Sequence, residues 1–140
     1  MAQRLEAVDH LAIAVEDLEA AVAFYRDRLG FEEAERRTTQ GVKTGMESVV
    51  MLGGPLKIVL LKGTSPESQV SRYVEEYGPG VQHVAFRVTG IEEVVADLKE
   101  RGLEFDTGII QGTGLKQAFS AREPVSGMMF EIIVPAQAWW

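Results

Sequence analysis

The chain carries one supersecondary pattern twice, and each copy opens on a strand with a histidine in it. Val8-Asp9-His10-Leu11-Ala12-Ile13-Ala14-Val15 is answered by Val81-Gln82-His83-Val84-Ala85-Phe86-Arg87-Val88, the histidines standing 73 positions apart (83 − 10). These are the only two histidines among 140 residues. Further on, Leu18, Val22 and Leu29-Gly30-Phe31 are matched by Ile91, Val95 and Arg101-Gly102-Leu103. Similarity over such a length means one unit used twice, because each copy buries its apolar face only by packing with others.

Within each copy the pattern reads as strand, helix, three strands. Alternation along Val8 to Val15 puts Leu11, Ile13 and Val15 on one face and His10, Ala12 and Ala14 on the other. The small alanines leave room beside the imidazole. Asp17 is placed to cap a helix over Leu18 to Leu29, with Gly30 as its left-handed stop. Strands are expected over Phe31 to Thr38, Glu47 to Leu52 and Leu56 to Lys62, the last two joined by Gly53-Gly54-Pro55. Thr64-Ser65-Pro66 predicts a linking helix over about 66–77. In the second copy, Thr89 and Glu92 suggest a capping box for a helix over Ile91 to Arg101. Phe105 to Ile110, Leu115 to Ala121 and Met128 to Val134 complete it as strands. The expected fold is α+β: paired βαβββ modules, about 5–63 and 79–135, in a single domain over 1–140. They would form an open barrel.

Composition narrows the partners. A net charge of −7 disfavours nucleic acid, which calls for a basic patch. No apolar run reaches the ~20 residues of a membrane span. With no cysteine there is neither disulfide nor thiolate chemistry, and a cytoplasmic location is expected. A small-molecule substrate and a homodimer are the expected partners.

Chemistry enters where the last strands of the two copies align. Leu56-Lys57-Ile58-Val59-Leu60-Leu61 matches Met128-Met129-Phe130-Glu131-Ile132-Ile133, so Glu131 answers Val59, 72 positions earlier (131 − 59). A carboxylate inside an apolar strand is costly to bury without a partner. Arg87 or Lys116 could pair with it, and each histidine could be a hydrogen-bonded core residue. A metal ion satisfies all three at once: two histidines and a carboxylate with open positions are the ligand set of non-haem iron(II) oxygenases. Val59 then stands in the place of a fourth ligand and offers none.

Val8-Asp9-His10-Leu11, Phe24-Tyr25-Arg26-Asp27 and Leu29-Gly30-Phe31 resemble the opening of a vicinal oxygen chelate (glyoxalase/bleomycin-resistance/dioxygenase) domain. Tyr77-Gly78-Pro79-Gly80-Val81-Gln82-His83-Val84-Ala85 and Phe130-Glu131-Ile132-Ile133 look most like the catalytic half of hydroxyphenylpyruvate dioxygenase and hydroxymandelate synthase. That resemblance implies His10, His83 and Glu131 as ligands of a divalent ion, Fe(II) first, with Zn, Co, Ni or Mn as substitutes. It also implies Gln117 as a pocket residue, and Gln82 and Ser48 with it. Those dioxygenases carry two such domains and a long C-terminal helix, whereas this chain has one and stops at Trp140. Val59 and Leu61 replace polar substrate contacts and suggest an apolar wall.

The expectation is therefore a non-haem iron(II) dioxygenase or hydroxylase acting on a small organic substrate. The chain is also similar to methylmalonyl-CoA epimerase, which moves a proton through a metal-bound enolate, and a glyoxalase-like isomerase or lyase belongs to the same class. The epimerase resemblance implies an amide ligand at the place of Val59 and a carboxylate base on the strand of Glu47 and Ser48. A third reading is a metal-free drug-binding protein of the bleomycin-resistance kind, which needs no ligand set.

Overall fold

β1 (Ala7–Ala14), α1 (Leu18–Leu29), β2 (Glu32–Thr39), β3 (Met46–Gly53) and β4 (Leu56–Gly63) follow one another as the first repeat requires. α2 (Gln69–Tyr77) leads to β5 (Gly80–Arg87), α3 (Ile91–Glu100), β6 (Ile110–Gln111), β7 (Lys116–Phe119) and β8 (Met129–Val134). The computed structural model describes residues 5–112 and 114–136; Trp139 and Trp140 lie outside them. The strand order is β2-β3-β4-β1-β5-β8-β7-β6. The chain divides into two compact units, one of residues 10–82 and one joining the segment up to Asp9 with His83 onward.

In the unit of residues 10–82, α1 forms because its ends are satisfied. The Asp17 carboxylate accepts from the Ala20 N–H at 3.0 Å, and Gly30 takes φ 76°, a conformation that a side chain would strain. Leu18 and Val22 of the helix pack against Val49, Met51 and Leu60 of the sheet. Those strand residues occupy one face by alternation. The opposite face carries Ala12, Ala14 and Leu61, over which α2 places Val70. α2 begins three residues later than the sequence suggests: the Ser68 side chain caps it, accepting from the Val70 N–H at 3.2 Å. Pro66 lies in the turn before it, where Ser68 N–H donates to the Ser65 carbonyl.

In the other unit, α3 packs Ile91, Val94 and Val95 against Val88, Ala118 and Ile132. The capping box does not form. Gly90 is the N-cap, and the Thr89 hydroxyl donates to Glu6 at 2.6 Å instead. A tertiary partner outcompeted the local one. The strand expected over Phe105 to Ile110 reduces to a single bridge between Phe105 and Ser120 and the two-residue β6. Glycine at 108 and a polar turn leave too little to pair. No helix among the described residues is long and apolar enough to cross a membrane.

Candidate metal centre

The two halves place their strands in the same local register. β1 runs parallel to β4 with Ala12 beside Val59, and β5 runs parallel to β8 with Ala85 beside Glu131. Ala12 stands two residues after His10, as Ala85 does after His83. Val59 and Glu131 are therefore equivalent positions, and the alignment read from the repeat is in register. The next strands agree as well: Val50 pairs with Val59 and Ser48 with Leu61, while Phe119 pairs with Glu131 and Gln117 with Ile133. Ser48 and Gln117 thus answer one another on the same kind of face.

Glu131 is 4% exposed, yet its charge has company. Its Oε1 lies 3.0 Å from His83 Nε2. A contact of this length needs a proton between the two atoms, which the imidazole Nε2–H supplies to an ionised carboxylate. Phe119, opposite Glu131, meets the His83 ring edge-on with centroids 5.6 Å apart. The imidazole is thereby held from two sides. Alternative partners for Glu131 are engaged elsewhere: Arg87 pairs with Asp9 at 3.2 Å and Lys116 with Glu92 at 2.9 Å.

His10, like His83, is buried. One ligand atom from each of His10, His83 and Glu131 lies within 4.8 Å of the other two. Donors bound to a single ion at about 2.0–2.2 Å stand at most about 4.4 Å apart, so a group whose ligand atoms lie within 4.8 Å is close to that span. The 3.0 Å separation of His83 and Glu131 suits neighbouring ligands of one ion. Imidazole and carboxylate donors in a buried setting fit a divalent transition metal. The residues present fit the group.

The remaining candidates divide. Val59 and Ser48 are half-buried on the face that carries Ala12, and Gln117 is half-buried on the face of Glu131. Leu61 is 4% exposed and packed with Ala12, Ala14 and Val70, so it is core and not wall. Gln82 is buried, and alternation sets it with Val84 and Phe86 on the strand face opposite His83. Glu47 is exposed and pairs across the ladder with Lys62, on the face of Val49 and not of Ser48. Sequence reasoning missed Phe119, although its spacing from Gln117 already assigned it the ligand face.

A family model described as Glyoxalase/Bleomycin resistance protein/Dioxygenase superfamily matches residues 7–132. Mitochondrial methylmalonyl-CoA epimerase of Mus musculus is 29% identical over 132 residues, 92% of this chain and 73% of that protein. The 4-hydroxyphenylpyruvate dioxygenase of Yarrowia lipolytica is 32% identical over 98 residues, 64% of this chain but only 25% of its own length. Among solved structures, a variant of Streptomyces coelicolor methylmalonyl-CoA epimerase in complex with 2-nitronate-propionyl-CoA superposes with a TM-score of 0.81 at 26% identity, covering 95% of this chain and 99% of that one. The chain belongs to the Glyoxalase/Bleomycin resistance protein/Dioxygenase superfamily.

Proposed function

We propose that the chain is a metal-dependent isomerase of the epimerase type, acting on an organic substrate whose reacting carbon lies beside a carbonyl. The superfamily includes metal-dependent epimerases, dioxygenases and glyoxalases. The observation that carries the choice is the buried His10, His83 and Glu131 group in a chain similar to epimerases along nearly its whole length. The likeness to the dioxygenases spans a quarter of their length. The reading therefore departs from the iron oxygenase that the motif around His83 suggests, and takes up its alternative.

A divalent ion held by His10, His83 and Glu131 would polarise a carbonyl oxygen and so acidify the C–H beside it. The chain's own part is to prepare that place. Phe119 meets the His83 ring edge-on and helps set its orientation, while an ion would displace the proton that the His83–Glu131 contact requires. Val59 offers no donor where Glu131 has its equivalent, which leaves positions open to substrate. Ser48 supplies a hydroxyl on the face of Val59, while Glu47 faces away and is not the proton-moving group.

A second reading, the dioxygenase, draws support from Val59 and Ser48, which supply neither the fourth ligand nor the carboxylate base implied for an epimerase. One experiment separates them. Protein loaded with Co(II), Mn(II), Zn(II), Ni(II) or Fe(II) is offered single-enantiomer methylmalonyl-CoA in deuterated water under argon. Loss of optical purity with deuterium uptake is the expected outcome. No exchange with any ion, together with oxygen uptake on an aromatic 2-oxo acid, would decide for the dioxygenase.

A further inference from the structure

We propose that Met129 is a modification site, a thioether that hydrogen peroxide converts to the sulfoxide when a redox-active ion occupies the metal centre. The inference goes beyond the isomerase reading. It rests on an ion held by His10, His83 and Glu131, whichever reaction that ion serves.

The placement comes from the ladders of one unit. β5 and β8 run parallel in unbroken register, with His83 beside Met129 and Ala85 beside Glu131. Residues level with one another on neighbouring strands, about 4.8 Å apart, share a face. Met129 therefore lies on the face of His83 and Glu131, whose side chains meet there at 3.0 Å. The ladder of β7 and β8 ends at the pair of Phe119 and Glu131, so Met129 stands two residues past its end. It is half-buried. A long, unbranched side chain with a polarisable sulfur reaches its neighbours from such a place.

The other methionines among the described residues serve as controls. Met128, one residue before β8, is also half-buried, but alternation sets it with Phe130 on the opposite face. There Phe130 stacks on Phe86 with ring centroids 5.5 Å apart. Met51 is fully buried in the core under α1, and Met46 packs against Ala12, Ala14, Leu61 and Val70. Peroxide arriving from solvent alone would treat Met128 and Met129 alike, whereas nearness to the ion separates them. In the step itself, the sulfur gives two electrons to the peroxide. The O–O bond breaks as an S–O bond forms, and the second oxygen leaves as water with both protons. The product is restored by sulfoxide reduction, and it sets a polar, chiral group where an apolar one stood beside His83.

The test needs no substrate. Protein loaded with Fe(II) under argon, its iron content measured, is treated with hydrogen peroxide, and the sulfoxide at each methionine is followed by peptide mass spectrometry. Met129 should be oxidised at least about tenfold faster than Met128. Zinc has no redox chemistry, so zinc-loaded protein should bring the two rates to within about twofold of one another. Glu131→Ala, given the same iron, should do likewise. Equal rates in the iron-loaded protein would overturn the assignment, as would a Met129 preference that survives either change. The two readings fail separately. An iron content near zero removes the metal centre and this inference with it. Full iron with equal rates removes this inference alone, and leaves the isomerase to its own test of deuterium uptake.

Discussion

At the scale of single residues, Glu131 shows how a costly group is made tolerable. Its carboxylate is buried, and a histidine 48 positions away in sequence supplies the hydrogen bond that offsets the desolvation. Replacing His10, His83 or Glu131 by alanine should reduce bound metal to less than about a tenth of an ion per chain while circular dichroism stays native-like. Full metal content in Glu131→Ala would remove the proposed centre. Val59→Glu tests the equivalence from the other side. The new carboxylate would stand where Glu131 stands in the second half, so metal affinity should hold or rise while turnover falls about tenfold or more for want of an open position. Full turnover in that variant would mean that Val59 does not face the ion. A carboxylate outside the candidate ligand set provides a pH test. Hydrogen bonds from the Ser126 backbone N–H and hydroxyl hold Glu123 below the usual carboxylate value. A lowered folded value means the stabilisation is complete above the ordinary value of 4.5 and is lost as pH falls through the lowered one. Melting curves of the unaltered protein and Glu123→Gln should therefore converge on acidification and separate toward neutrality.

At the scale of elements, helix starts were decided by whichever oxygen reached the free N–H groups first. Ser68, fully buried, caps α2, whereas Thr89 is engaged by Glu6 and caps nothing. Ser68→Ala should cost about 1 kcal/mol in urea melts. Thr89→Ala should stay within about 0.5 kcal/mol, as a surface change away from any cap does. The ion pair of Asp9 and Arg87 ties the start of β1 to β5 within one unit, helped by the Glu6 N–H, just before β1, donating to the Arg87 carbonyl at 2.9 Å. The Asp9 side chain is fully buried and that of Arg87 is 17% exposed, so removing one partner takes this ion pair from a largely desolvated charge. Asp9→Ala should destabilise by about 3–5 kcal/mol, and the double change Asp9→Ala with Arg87→Met should recover part of that loss. No recovery would show that packing, not charge, is what the pair supplies.

At the scale of the whole molecule, metal binding and stability are linked, since an ion that needs His10, His83 and Glu131 together binds the folded chain and not the unfolded one. At a free ion concentration a hundred times Kd, the gain is about 2.7 kcal/mol, or roughly 5–10 °C in Tm. Scanning calorimetry should show that shift, a chelator should abolish it, and Glu131→Ala should never display it. Phe24, Leu29 and Leu56 are exposed apolar side chains. Sedimentation velocity should find twice the chain mass if the expected homodimer forms.

The order of helices and strands was legible in the sequence because the repeat states it twice, and because alternation and caps are local matters. The correspondence of Val59 with Glu131, and of Ser48 with Gln117, was legible for the same reason: a register that recurs needs no third dimension to be seen. Where a side chain had more than one partner to choose from, sequence could not choose. Thr89 left its helix for Glu6, Arg87 took Asp9 and left Glu131 to His83, and Leu61 joined the core under α2 instead of lining a wall. Gln82 stands one residue from a ligand and yet on the other face. Those outcomes depend on distances between residues far apart along the chain, and only the tertiary structure sets such distances.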